Sequence, residues 1–134
     1  MRRLFPQEIC AAVGGTLLQD GAPITGVTTD SRRAGEGMLF IPLVGERFDG
    51  HDYVDKALQS GAAGCLTAKT PETLLPGKLY VQVPDTRLAL RALASWYRGQ
   101  FRIPVVQVTG SAGKTTTKEM IACVLSRRYR TLKT

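Results

Sequence analysis

Long apolar runs are missing from this chain. The longest, such as Met38 to Val44, fall far short of the roughly 20 residues that span a bilayer, and none follows the basic Met1-Arg2-Arg3 as a secretion signal requires. No membrane span is expected, and the chain is expected to be cytoplasmic. Cysteine is scarce: Cys10, Cys65 and Cys123 are odd in number, far apart and outside any CxxC pair. That argues against a disulfide framework or a zinc site and leaves them as reduced packing residues. Aromatics are few and dispersed, with four Tyr, four Phe and one Trp. They lack the interleaving of basic and stacking residues seen in RNA-binding strands, so no nucleic-acid partner is expected. There is one histidine, His51, and neither an internal repeat nor a low-complexity tract.

What is present suits a folded α/β chain. With 43% hydrophobic and 22% charged residues in 134 positions, it can bury one core, or one small domain plus part of another. A formal charge of +7 favours anionic partners without naming them. Part of the excess is the run Arg127, Arg128, Arg130 and Lys133, which also reads as a solvated basic face.

Pro6 to Val13 reads as a short helix, with Pro6 in the first turn and Gly14-Gly15 as the stop. Strands are expected at Ile24 to Thr29, Met38 to Leu43, Gly64 to Thr67 and Leu79 to Val83. Pro42 cannot donate a ladder hydrogen bond and belongs at a sheet edge or strand end. Between the second and third strands, Asp49 or Gly50 opens a helix whose Val54, Ala57 and Leu58 share a face, with Gly61 at its exit. A change of unit is expected at Pro84-Asp85, giving domains 1–84 and 85–134. Asp85 or Thr86 then caps a helix to about Gln100, with Ala89, Leu93, Trp96 and Tyr97 on one face. Ile103 to Val108 is a near-continuous apolar run, as in a strand covered on both faces of a parallel sheet.

That run feeds "VTGSAGKTTTKEM", Val108 to Met120. An anion at a helix N-terminus is held by unpaired backbone N–H groups and the positive end of the helix dipole. Gly110 and Gly113 let the backbone wrap closely, and Thr115 to Arg128 reads as the following helix, with Ile121, Val124 and Leu125 on its apolar side. The site would comprise Thr109, Gly110, Ser111, Ala112, Gly113, Lys114, Thr115 and Thr116. Amides from Ser111 to Thr115 would hold a β-phosphate, and Lys114 would reach between β- and γ-phosphates. The Thr115 hydroxyl would ligate Mg²⁺, and Thr116 would help to position the same group. The loop departs from GxxxxGK[ST], because Val108 stands five before Gly113. The shorter TGxxGKT remains, against the alternative of a glycine turn with a solvated lysine.

With "LSRRYRTLKT" after it, this loop resembles the opening of the central domain of the Mur ligases. The upstream "TTDSRRAGEGMLFIPLVGERFDGHDYVDKALQSGAAGCL" is similar to that family's N-terminal domain. It carries a DSR signature at Asp30, Ser31 and Arg32 and a GxxxDGH signature at Gly45, Asp49, Gly50 and His51. The resemblance runs from about Ile24 to Thr134. It implies an α/β fold: a small mixed-sheet N-terminal domain that binds a UDP-sugar peptide, then the helix, strand, phosphate loop and helix that begin a parallel-sheet ATPase domain, here truncated.

The triple threonine and Lys118-Glu119-Met120 favour the member that joins D-alanyl-D-alanine to UDP-N-acetylmuramoyl-tripeptide. The neighbouring ligase that adds the third peptide residue, and a non-catalytic nucleotide- or RNA-binding module, are the alternatives. The resemblance implies ATP and Mg²⁺, with Lys114 and Thr115 as the catalytic pair, an acyl-phosphate intermediate, and no histidine base from this region. Arg32 or Arg47 could offer paired donors to the diphosphate, Ser31 could fix uracil or phosphate, and Phe48 could lie against the base. The plainer readings are that Asp30 makes a turn, Asp49 caps a helix and His51 sits in a first helical turn. The chain by itself is expected to be inactive, and an exposed 103–108 strand to pack on itself or to pair with a second copy.

Overall fold

Apolar residues alternate along the strand segments, and the alternation decides how each face of the sheet is covered. Leu39, Leu66, Leu79 and Val81 point to one side, whereas Phe40, Cys65 and Tyr80 point to the other. In the computed structural model, which describes Met1 to Thr134, these residues lie on five short strands: β1 (Thr16–Gln19), β2 (Gly26–Thr28), β3 (Met38–Phe40), β4 (Gly64–Thr67) and β5 (Leu79–Gln82). Their order is β1-β5-β4-β3-β2. Strands β2 to β5 run parallel and β1 runs antiparallel to β5, so the sheet is mixed as expected.

Helices α1 (Pro6–Val13) and α3 (Thr86–Gly99) cover one face. Ile9, Ala89 and Leu93 join Leu4, Ile24, Leu39, Ile41, Leu66, Leu79, Val81 and Val83 in one core. Helix α2 (Val54–Gln59) covers the other, through Ala57 and Leu58 against Phe40, Cys65 and Tyr80. Each of the Leu, Ile, Val and Phe side chains among these contributes about 1.5–3 kcal/mol by leaving water. Two covered faces make a three-layer arrangement, the usual solution for a largely parallel sheet.

The helix limits follow local chemistry. Gly14, at φ 64°, ends α1 in the left-handed conformation that glycine adopts without steric cost. Asp85 caps α3 by accepting from the Leu88 amide at 3.0 Å, worth about 1 kcal/mol. Strand limits were harder to read. Thr16–Gln19 was not anticipated, because Gly14-Gly15 marks only the end of a helix. Strand β2 is shorter than Ile24 to Thr29, since Ile24 exchanges both backbone bonds with Leu4 (2.8 and 2.9 Å). Pro42 falls just beyond β3, where no ladder bond is needed.

The chain divides into two compact units, Met1–Phe101 and Arg102–Thr134. The first extends past the expected change at 84–85 because Ala89 and Leu93 of α3 are buried in its core. The second contains α4 (Lys114–Leu125) and no strand. The expected strand at Ile103 to Val108 does not form: the segment makes no ladder, and Ile103, Val105 and Val106 are exposed. A strand is defined by ladder hydrogen bonds to a neighbouring strand, and no ladder of the sheet includes these residues. On α4 Ala122 is buried and Ile121 and Leu125 of the expected apolar side are half-buried, whereas Val124 is exposed, contrary to expectation.

Candidate functional site

Four parallel strands bring four connections to the same edge of the sheet, the edge formed by their carboxyl ends, where open α/β sheets collect their ligands. Asp30 to Arg32 follow β2. Gly45 to His51 follow β3. Ala68 and Lys69 follow β4, and Pro84 to Arg87 follow β5. Both expected signatures therefore sit side by side on adjacent strands.

Asp30 caps the short 3₁₀ turn Ser31–Arg33, accepting from the Arg32 amide at 3.0 Å. It also takes a two-point contact from the Arg32 guanidinium, Nε at 3.0 Å and Nη2 at 2.8 Å. These Arg32 donors, first the side chain and then the amide, lower the Asp30 carboxyl to about 2. The turn reading of Asp30 is borne out, and two of the Arg32 guanidinium donors are already engaged.

The connection after β3 is a tight hairpin. Gly45 N–H donates to the Phe48 carbonyl at 2.8 Å, and Val44 pairs with Asp49. Arg47 and Phe48 stand exposed at its tip. Gly50 donates to the Leu43 carbonyl at 2.8 Å. A Cβ on Gly50 would lie 2.7 Å from the Leu43 nitrogen and 2.8 Å from its oxygen, so only glycine fits. Asp49 caps the following 3₁₀ turn Gly50–Tyr53 by accepting from the His51 amide at 2.9 Å.

The Asp49 carboxylate, unlike that of Asp30, is held by two different residues. It pairs with Lys69 Nζ at 2.5 Å and contacts His51 Nδ1 at 2.7 Å. Lys69 first, then the His51 amide and ring, hold its carboxyl well below the usual carboxylate range. The pairing with Asp49 in turn raises Lys69. His51 Nε2 accepts from the Ala68 amide at 3.0 Å, so the ring proton lies on Nδ1 and points at Asp49. With its side chain 5% exposed, His51 lies in the first helical turn, where the plainer expectation puts it.

Beside this ring lies a depression of about 180 Å³ lined by Val44, His51, Ala68, Pro84, Asp85, Thr86 and Arg87. It is smaller than the roughly 300–1,000 Å³ of enclosed small-molecule sites, so it fits one group of a larger ligand. Arg87 reaches the Val44 carbonyl at 3.3 Å. Sequence reasoning missed Lys69 and Arg87. The available signal was position alone, since each falls just after a parallel strand.

In the second unit, Gly113 sits at φ 74° and opens α4 with no side-chain cap. The first intrahelical bond is Thr117 N–H to the Gly113 carbonyl at 3.0 Å. The amides of Lys114, Thr115 and Thr116 therefore lack helical acceptors, as at any helix start. Gly110 has φ 146°. Thr109 to Thr116 is solvent-exposed throughout, Lys114 and Thr115 included. The amides, the lysine and the hydroxyls expected for a phosphate are thus together at one helix end, although no strand precedes them.

The Mur ligase family, catalytic domain, matches residues 23–98. The chain belongs to the Mur ligase family. The match covers the Asp30 turn, the 44–49 hairpin, Lys69 and Arg87. UDP-N-acetylmuramoyl-tripeptide--D-alanyl-D-alanine ligase of Escherichia coli is 47% identical over 116 residues, which are 85% of this chain and 25% of that protein. The UDP-N-acetylmuramoylalanyl-D-glutamyl-2,6-diaminopimelate--D-alanyl-D-alanyl ligase of Acinetobacter baumannii superposes with a TM-score of 0.85 at 35% identity, over 96% of this chain and 29% of that one. The MurF ligase of Thermotoga maritima, solved in complex with ADP, gives a TM-score of 0.63 at 35% identity over 76% of this chain and 23% of that one. This Mur ligase chain thus spans between about a quarter and three tenths of the relatives it matches across most of its own length.

Proposed function

We propose that this chain supplies the nucleotide-sugar end and the phosphate loop of an ATP-dependent ligase that joins D-alanyl-D-alanine to UDP-N-acetylmuramoyl-tripeptide in cytoplasmic peptidoglycan precursor synthesis. The observation that carries the reading is the placement of the Asp30–Arg32 turn and the Gly45–His51 hairpin on adjacent parallel strands at the carboxyl edge of the sheet. Arg47 and Phe48, exposed at the hairpin tip, offer guanidinium donors to the diphosphate and a ring face to uracil. Ser31 and the remaining Arg32 donors complete that side. Asp30, Asp49, Gly45, Gly50 and His51 set the shape of the two loops. In this reading residues 1–84 carry the substrate-binding function and residues 85–134 begin the nucleotide-binding one.

The uncapped start of α4 fits a triphosphate. Amides up to Thr116 would face phosphate oxygens, Lys114 would neutralise their charge, and the Thr115 hydroxyl would contribute a hard oxygen ligand to Mg²⁺. The metal, when bound, shields negative charge on the phosphates. In the ligase reaction the tripeptide carboxylate is activated as an acyl phosphate at the expense of ATP. The amine of D-alanyl-D-alanine then displaces phosphate and forms the amide. Lys114 and the helix-start amides serve this by stabilising charge on the transferred phosphoryl group. The exposed apolar segment 103–108 would also allow two copies of this chain to associate.

Calorimetric titration of the chain with UDP-N-acetylmuramoyl-tripeptide tests the substrate assignment. Saturable binding that weakens on Arg47→Ala is expected. A folded chain that takes up no UDP-sugar peptide would reject it.

A further inference from the structure

Lys69, Asp49, His51 and Ala68 form a closed circuit that the proposed ligand contacts leave unused. Lys69 Nζ meets one Asp49 oxygen at 2.5 Å, and the other meets His51 Nδ1 at 2.7 Å. His51 Nε2 then takes the Ala68 amide at 3.0 Å. Ala68 and Lys69 are consecutive, so the circuit returns to its origin at the end of β4. That origin is itself fixed: the buried Thr67 hydroxyl donates to the Lys69 carbonyl at 2.7 Å and accepts from the Lys69 amide at 3.1 Å.

We propose that Lys69 is a positioning residue for the nucleotide-sugar site, tying the base of the 44–49 hairpin to the end of β4 so that Arg47 and Phe48 are presented to the diphosphate and base, without touching the ligand itself. This rests on the reading of that edge as the UDP-sugar site. Two physical reasons support it. Asp49 stands at the base of a hairpin whose tip carries Arg47, so movement of the base moves the tip. Asp49 is also a full negative charge at an edge meant to receive a diphosphate, and without Lys69 that charge would repel the ligand. The fold does not depend on the ion pair, because Lys69 is 62% exposed at its side chain and the hairpin is closed by its own backbone bonds.

The test is titration of the 134-residue chain with UDP, as wild type, Lys69→Ala and Lys69→Arg, with the His51 imidazole nitrogens and the Ala68 amide followed by NMR. The wild type should bind UDP, Lys69→Ala should bind about fivefold more weakly, as an exposed ion pair permits, and Lys69→Arg should restore affinity. His51 and Ala68 signals should move in Lys69→Ala and return in Lys69→Arg, while the melting temperature stays close to that of the wild type. Equal UDP affinity in wild type and Lys69→Ala overturns the positioning role. Weaker binding with unmoved His51 and Ala68 signals overturns it in favour of direct contact. A wild type that does not bind UDP overturns instead the nucleotide-sugar reading, and the positioning role with it.

Discussion

Two segments with nearly the same apolar character met opposite fates. Met38–Phe40 is a strand flanked by β2 and β4, with Leu39 and Phe40 inaccessible. Ile103 to Val108, also a near-continuous apolar run, joins no ladder, and its Ile103, Val105 and Val106 are exposed. Both sequences favour extended backbone, but only the first has strands on either side to take its amides and carbonyls and helices to cover its side chains. An apolar run therefore states what environment a segment needs. It does not supply that environment.

Truncating Leu39 to Ala should give the widest separation between the two segments. A loss of about 2–5 kcal/mol is expected from the cavity in a packed core, whereas Val105→Ala should stay within about 0.5 kcal/mol. Urea denaturation of both variants measures the gap, and comparable losses would show that 103–108 is packed in solution.

Glycines sharpen the same contrast on a smaller scale. Gly50→Ala forces a methyl against the Leu43 backbone and should cost about 1–3 kcal/mol. Gly113→Ala meets nothing within 4 Å, so only the cost of φ 74° remains, about 1 kcal/mol. Thermal melting of the two variants ranks them, and a larger loss at Gly113 would reveal packing around the phosphate loop.

Acid should separate the units least. The Asp49 carboxyl is lowered in the folded state by Lys69 and His51. Its stabilisation is therefore fully present above the unfolded carboxylate value of about 3.9 and is lost as pH falls through the lower folded value. Lys69→Ala should move the acid limb of the first unit to higher pH, as read by circular dichroism. In the second unit Glu119 is lowered by its pairing with Lys133, and as an exposed surface pair it should contribute little.

Helices were the legible part of this chain. Pro6–Val13 and Thr86–Gly99 follow from a proline or aspartate at the start, 3.6-residue periodicity, and a glycine at or near the end, all local features. β1 was not legible, since its pairing with β5 joins residues far apart in sequence and includes an irregularity between Leu17 and Gln19. The candidate site divides the same way. Its motif residues were visible as motifs, and Asp30 and Asp49 as turn-formers, whereas Lys69 and Arg87 carried no local mark.

By itself the sequence determined the limits of α1 and α3, the alternating faces of the inner strands, the glycine-bounded start of α4 and the two loop signatures. Each depends on neighbours within a few residues, where backbone sterics and side-chain period act directly. Tertiary structure alone decided the strand order, the extension of the first unit to Phe101, the exclusion of 103–108 from the sheet, and the circuit from Lys69 through Asp49 and His51 to Ala68. Those depend on hydrogen bonds and ion pairs between distant segments, which exist only once the sheet has brought their ends to one edge.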